Sequence, residues 1–213
     1  MMLVLHGYEF SVYNRIVRIA LIEKGLSYSR VEVNPFSEDC PPSYIALNPF
    51  RRVPTLVHGD FVLYETSAIT RYLDETFPTP PLLPIEPCAR ARVAQVISII
   101  DGYGYWPLVR QVFSHRVFRP LTGKSADEAE VQAGLANAGR VLAALEGLAR
   151  GGETLVGDGW TMADGHLAAM VDYFTMAPEG AAMLADYPRL AEWWRASSAR
   201  PSVIATRPAF PQY

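Results

Sequence analysis

Cysteine is nearly missing from this chain, with two in 213 residues, Cys40 and Cys88. They stand too far apart in sequence for a C-x-x-C redox pair or a zinc site and read as structural or incidental thiols. Charge is sparse too, at 19% of residues with a net of -3. Nucleic acid and acidic membrane surfaces both call for concentrated Lys and Arg, so neither is an expected partner. There is no basic-then-apolar leader and no apolar run of about 18 residues, which argues against a membrane span and sets the expectation of a cytoplasmic protein that needs no metal. Internal repeats and low-complexity tracts are also lacking. What the chain has is apolar residues, 50% of the total, enough to bury a core in one domain or two small ones.

The first eighty residues alternate strand and helix signals. "MLVLH" is a short apolar run; "NRIVRIALIEKGL" sets Ile16, Ile19, Ala20 and Glu23 at helical spacing from near Asn14, with Gly25 as a stop. "YSRVEVN" alternates Tyr28, Val31 and Val33 with polar neighbours, giving a β-α-β unit with parallel strands. "TLVHGDFVLYE" carries a hairpin signal at Gly59-Asp60, and "ETSAITRYLDETF" places Ala68, Ile69, Tyr72 and Leu73 on one helix face. The order expected is β-α-β-(short helix)-β-β-α over residues 1–77.

Five prolines in "TFPTPPLLPIEPC" mark residues 78–87 as a linker. Beyond it, over 88–213, only helical patterns appear. Val131, Leu135, Ala138, Leu142, Leu145 and Leu148 form an apolar stripe. In "WTMADGHLAAM", Thr161 and Asp164 have capping-box spacing, a folding device, and Trp160 is a candidate for the outer half of a hydrophobic staple. The fold class is thus α/β followed by all-α.

Pro54 opens the run "PTLV". A trans proline at the first position of a strand is ordinary. A cis bond, found at about 5% of X-Pro positions, would turn the N–H and C=O of Val53 outward beside the helix starting near Thr66. An extended ligand can then pair main chain to main chain at Val53 while its carboxylate sits on the unpaired amides of that helix start. A small peptide acid fits.

Three segments, "LVLHGYEFSVYNRIVRIALIEKGL", "NPFRRVPTLVHGDFVLYETSAITRYL" and "LVGDGWTMADGHLAAM", resemble in order and spacing the cytosolic glutathione transferases, bacterial type, and the resemblance spans the whole chain. It implies a thioredoxin-like glutathione-binding domain, an all-helical C-terminal domain and a homodimer. It also implies attachment of the glutathione thiolate to a small apolar electrophile, a detoxification chemistry with glutathione as cosubstrate. Residue by residue, Pro54 matches the family's cis proline and Val53 the residue that pairs with the cysteinyl part of glutathione. Glu65 and Thr66 match the acid and hydroxyl at the γ-glutamyl end, with threonine where serine is commoner, and Arg52 falls near the glycyl carboxylate.

A free thiol ionises at about pH 8.5, so shifting it by two units requires about 2.7 kcal/mol of preferential thiolate stabilisation. Ser11 aligns with the catalytic serine of some classes of the family and the cysteine of another, and would donate its hydroxyl to the sulfur. Val12 stands where that family often has proline, and Tyr13, Tyr8 and Asn14 are alternative donors. His6 occupies the place of a catalytic tyrosine but reads as a packed strand-end residue. The electrophile pocket is expected between the domains, lined by Tyr105, Trp106, Val109 and Phe113, with Tyr103 nearby, on a helix that Pro107 would kink. Asp101 is a candidate for reaching the γ-glutamyl amine of a partner subunit. Two alternatives stay open: a glutathione-dependent lyase, dehalogenase or isomerase, and a non-catalytic binding or assembly protein.

Overall fold

A computed structural model of the protein describes residues 2–210. Four strands and three helices come first: β1 (Leu3–Gly7), α1 (Val12–Glu23), β2 (Tyr28–Glu32), α2 (Pro42–Leu47), β3 (Thr55–His58), β4 (Phe61–Tyr64) and α3 (Thr66–Thr76). The order matches the sequence pattern. The strands lie in the order β2-β1-β3-β4, with β1 parallel to β2 and antiparallel to β3, and β3 antiparallel to β4 through Gly59-Asp60. A two-residue turn of this kind needs positive φ, which Gly59 supplies at 63°. Leu3, Leu5 and Leu56 from the sheet, Ile16, Val17, Ile19 and Leu21 from α1, and Ile69 and Leu73 from α3 are all buried.

Two helices differ from the pattern in instructive ways. α1 starts at Val12 because Ser11 caps it, two residues before the expected start. The buried face of α3 is Ile69, Thr70, Leu73 and Asp74, while Ala68 is exposed. Asp74 turns inward to meet Lys24, whose Nζ lies 2.7 Å from Asp74 Oδ1 and donates also to the Pro80 carbonyl at 2.8 Å. Asp74 Oδ1 further accepts from the Leu82 N–H at 2.7 Å. A buried ion pair has the composition of a surface pair, so periodicity alone assigns it to the wrong face.

The chain divides into two compact units. One runs through Leu82 and includes Ala205–Pro208; the other runs from Leu83 to Ile204 and resumes at Ala209. The sequence pattern places the return segment in the helical domain, but Thr206 is fully buried and joins the first unit, where its Oγ1 accepts from Arg15 Nε at 3.3 Å and its carbonyl from Arg18 Nη1 at 3.4 Å. Neither helix nor strand occupies residues 78–86.

The second unit holds α4 (Pro87–Ile99), wide-turn π segments at Ile100–Gly104 and Trp106–Phe118, α5 (Arg119–Leu121), α6 (Glu128–Leu148), α7 (Met162–Phe174), α8 (Pro178–Ala185), α9 (Pro188–Ser198) and α10 (Pro201–Ala205). Along α6, Val131, Ala138, Leu142 and Leu145 are fully buried, as the stripe anticipates. A Cβ on Gly134 would come within 2.7 Å of the Gln111 Cβ, so α6 crosses the second π segment too closely for any side chain at 134.

Every residue of α7 is buried, and its start is organised by one carboxylate. Asp164 Oδ2 accepts from the Thr161 N–H and from its hydroxyl, both at 2.8 Å; Oδ1 accepts from the Leu155 N–H at 2.6 Å and from Trp193 Nε1 at 2.9 Å. The capping box therefore also ties a loop and α9 to α7. The staple expected of Trp160 has no partner, since the fourth helical position is Gly165; the indole instead carries the Arg200 guanidinium 4.3 Å from its ring centroid. Asp164→Ala would leave four donors without an acceptor in a dry site, and a loss of about 3–5 kcal/mol is expected from urea unfolding of the helical unit.

Candidate functional site

The candidate ligand residues of the first unit gather at one end of the sheet, and strand register puts them there. His6 on β1 faces Thr55, the first residue of β3, and Thr55 faces Tyr64, the last of β4. The turn after Gly7, the loop before Thr55 and the helix start after Tyr64 are therefore neighbours, one strand spacing of about 4.8 Å apart in turn.

The loop before β3 is held from behind. Asn48, 1% exposed, donates from Nδ2 to the Arg52 carbonyl at 3.0 Å and to Thr55 Oγ1 at 3.4 Å, while its Oδ1 accepts from the Phe50 N–H at 3.1 Å. The Tyr44 hydroxyl donates to the same Arg52 carbonyl and meets Thr55 Oγ1 at 3.0 Å. The Arg52 carbonyl is thereby filled, whereas the main-chain N–H and C=O of Val53 make no hydrogen bond among the described residues. The Val53-Pro54 bond is cis. Unpaired main-chain donor and acceptor groups are what a peptide-like ligand needs for strand-type pairing. Tyr44, Asn48 and Thr55 escape the sequence pattern; the Asn-Pro pair at 48–49 marks a turn but not the buried amide behind it. Arg52 is exposed, its guanidinium 5.7 Å from the Phe36 ring centroid.

After β4, Glu65 takes φ 71° and ψ 117°. A non-glycine residue in that region costs about 1–3 kcal/mol, and such strain concentrates at ligand sites. The Glu65 carbonyl accepts from the Ile69 N–H at 2.9 Å, while its exposed side chain makes no capping bond. Thr66, 6% exposed, is the first residue of α3. First-turn amides have no acceptor within their helix, and the dipole adds positive potential there, so an anion is favoured.

The third segment joins β1 to α1. Ser11 caps α1: its Oγ accepts from the Asn14 N–H at 3.2 Å, and its own N–H donates to the Tyr8 carbonyl at 3.0 Å. The hydroxyl thus accepts one hydrogen bond and has its single proton left to donate. Asn14, a rival donor by sequence, is 2% exposed and directs Nδ2 to the Tyr8 carbonyl at 3.1 Å. A Cβ on Gly7 would fall 1.9 Å from Asn14 Oδ1, so this close approach requires glycine. Tyr8 and Tyr13 are half-buried. Burial, and next to it the Glu32 carboxylate, push the Tyr8 phenol up from its ordinary value, so at neutral pH it holds its proton. His6 is half-buried, held below its usual imidazole value by burial, and tilts against Tyr44 with ring centroids 5.8 Å apart.

In the helical unit the expected aromatic wall is not a single face. Val109 and Phe113 are 7% and 4% exposed, and Phe113 stacks on Tyr173 with centroids 4.4 Å apart, inside the core. Trp106 and Tyr103 are exposed, and Tyr105 is half-buried. The reason is the wide turn: with hydrogen bonds skipping an extra residue, positions three apart swing to different sides, so Trp106 parts from Val109, while Val109 and Phe113, four apart, stay together. Asp101 is half-buried, and its charge acts on the buried His166, opposing the downward shift that burial imposes on that imidazole. No group of three or more metal-ligating side chains occurs among the described residues.

Residues 5–81 match the family model described as Glutathione S-transferase, N-terminal domain, and residues 105–201 that described as Glutathione S-transferase, C-terminal domain. Glutathione S-transferase F13 of Arabidopsis thaliana is 30% identical over 96% of this chain and 94% of its own. The solved structure of a glutathione S-transferase III in apo form superposes with a TM-score of 0.86 at 32% identity, covering 100% of this chain and 99% of that one. Glutathione S-transferase I from mais, in complex with an atrazine glutathione conjugate, superposes with a TM-score of 0.85 at 27% identity over 97% of each chain.

Two outcomes follow from the turn. Ser11→Ala removes the cap of α1 and costs about 1 kcal/mol in a denaturant titration. Glu32→Gln removes one of the two influences on Tyr8, so the Tyr8 titration, isolated as the ultraviolet difference between Tyr8-containing and Tyr8→Phe proteins, moves to lower pH.

Proposed function

The chain belongs to the cytosolic glutathione transferase family, and we propose that the three segments gathered at the sheet end form its glutathione site, with Ser11 as the thiolate donor. The observation that carries this is the convergence itself. What supports the reading is that one register brings to the same end of the sheet the unbonded main-chain groups of Val53, the start of α3 and the capping hydroxyl of Ser11.

In this reading Val53 pairs main chain to main chain with the cysteinyl part of the tripeptide, beside Pro54. The γ-glutamyl end carries an ammonium and a carboxylate; Glu65 faces the first, Thr66 and the first-turn amides of α3 take the second. Arg52 neutralises the glycyl carboxylate. The sulfur then lies by Ser11. A hydroxyl that already accepts a bond is polarised toward donating, and the dipole of α1 favours negative charge at the same place. A charge-assisted bond of about 1.5–3 kcal/mol together with about 0.3–1 kcal/mol from the dipole is of the size that a two-unit fall in thiol pKa requires. The thiolate attacks the electrophilic carbon, a carbon–sulfur bond forms, and the leaving group departs with the electron pair of the bond it breaks.

For the electrophile, Tyr105 and Trp106 offer accessible aromatic surface, while Val109 and Phe113 shape the helix from within. A small apolar substrate suits these side chains. The wider reading is of a homodimer at work in the cytoplasm in detoxification, supported by the family assignment and by the described helices, none of which is long and apolar enough to cross a membrane.

Isothermal titration with glutathione should release heat, and an ultraviolet thiolate band should appear on binding near neutral pH. Ser11→Ala should abolish that band and lower kcat by about a hundred-fold, the equivalent of about 2.7 kcal/mol, with Tyr13→Phe and Tyr8→Phe close to the parent. Loss of the band in a tyrosine variant and not in Ser11→Ala would move the donor. No heat would favour a binding or assembly protein. Turnover of haloalkanes, ethers or isomerisable substrates in preference to aryl halides would favour the lyase, dehalogenase or isomerase reading, and sedimentation tests the dimer.

A further inference from the structure

The turn that carries Ser11 is tied down by charges that none of the proposed glutathione contacts uses. Glu9, two residues before Ser11, is held by main chain and side chain together. Its N–H donates to Glu32 Oε1 at 2.8 Å. One carboxylate oxygen lies 3.8 Å from Arg18 Nη1 on α1, and the other accepts from Arg30 Nη2 on β2. Arg30 lies also 3.7 Å from Glu32 Oε2. The Arg18 side chain is 8% exposed, the Glu9 side chain 30%. Within the turn the Tyr8 carbonyl gathers the Ser11 N–H and the Asn14 amide. One acidic residue therefore bridges the helix that follows the turn and the edge strand beside it.

Exposed ion pairs on an edge strand add little to stability, about 0–1 kcal/mol each. Their geometric effect is larger, because a misplacement of about 1 Å at a reacting group can cost about a hundred-fold in rate. Tyr8 to Phe10 lie beyond the end of β1 at Gly7, and from this loop Glu9 reaches both α1 and β2. We propose that Glu9 is a positioning residue: braced by Arg18, Arg30 and Glu32, it fixes the Tyr8–Ser11 turn so that the Ser11 hydroxyl is aimed at the glutathione sulfur. The inference rests on the glutathione reading above.

The sign of one measurement separates positioning from simple electrostatics. Removing a negative charge near a thiolate should by Coulomb's law lower the thiol pKa. Loss of aim at Ser11 should raise it. In Glu9→Gln, the pKa of bound glutathione, read from the thiolate band against pH, is expected to rise by about one unit and kcat at neutral pH to fall about ten-fold, with KM for glutathione within about two-fold of the parent. Because Glu9→Gln also weakens the pairing of buried Arg18, Glu32→Ala on the exposed edge serves as a second variant with the same direction of change. Glu75→Gln, a charge removal on the surface of α3, serves as the control and should match the parent. A bound-thiol pKa that stays or falls in both turn variants overturns the inference. Amide hydrogen exchange without any ligand tests the tether independently: the Ser11 N–H should exchange about ten-fold faster in Glu9→Gln, and an unchanged rate overturns the tether even if the parent protein fails to bind glutathione. Absence of heat and thiolate band in the parent would instead defeat the glutathione reading.

Discussion

The pairing of β1 with strands on both sides is the constraint on which the rest depends. Five residues, Leu3–Gly7, hold β2 in parallel and β3 in antiparallel register, and β3 carries β4 with it. A shift of one residue between β1 and β3 would turn every side chain of one strand to the opposite face and would displace the Val53 peptide from the Ser11 turn. The buried leucines at 3, 5 and 56 resist such a slip, since each would trade the core for solvent. Hydrophobic alternation in short strands thus fixes where polar chemistry can take place.

Given that frame, polar side chains with no room for error do the fine placement. Asn48 and Tyr44 converge on one carbonyl, Arg52, while the main-chain groups of Val53 beside it stay unbonded among the described residues. Asp164 does the reverse in the helical unit, where one carboxylate collects four donors and closes a helix start completely. Buried polar groups are costly unless bonded, so both arrangements are all-or-nothing. One ends in a satisfied knot, the other in a main-chain edge kept open.

Legibility from sequence follows the same division. Gly59-Asp60, the strand and helix order, the stripe of α6 and the Thr161/Asp164 pair are readable, since each depends on neighbours close in sequence or on a simple period. Ser11, Val53, Pro54, Glu65 and Thr66 are named through resemblance, and register brings their segments to one end of the sheet. Asn48, Tyr44 and Thr55 are not readable: a buried amide, phenol and hydroxyl look like surface residues until their partners are known. Lys24 and Asp74 shift the inner face of α3 for the same reason. The aromatic positions 105, 106, 109 and 113 fall on one side only under ordinary helical spacing, which the π segments do not keep.

Glu65 carries an implication of its own. Its backbone sits where glycine would rest without strain, yet the residue there is an acid whose side chain supports no fold contact at the helix start. Glycine there would relieve the backbone at no loss of a helix-start bond, so folding stability by itself gives no reason for an acid. In the proposed glutathione site the carboxylate would have an amine to face, and that contact, absent from folding alone, is what would offset the strained backbone.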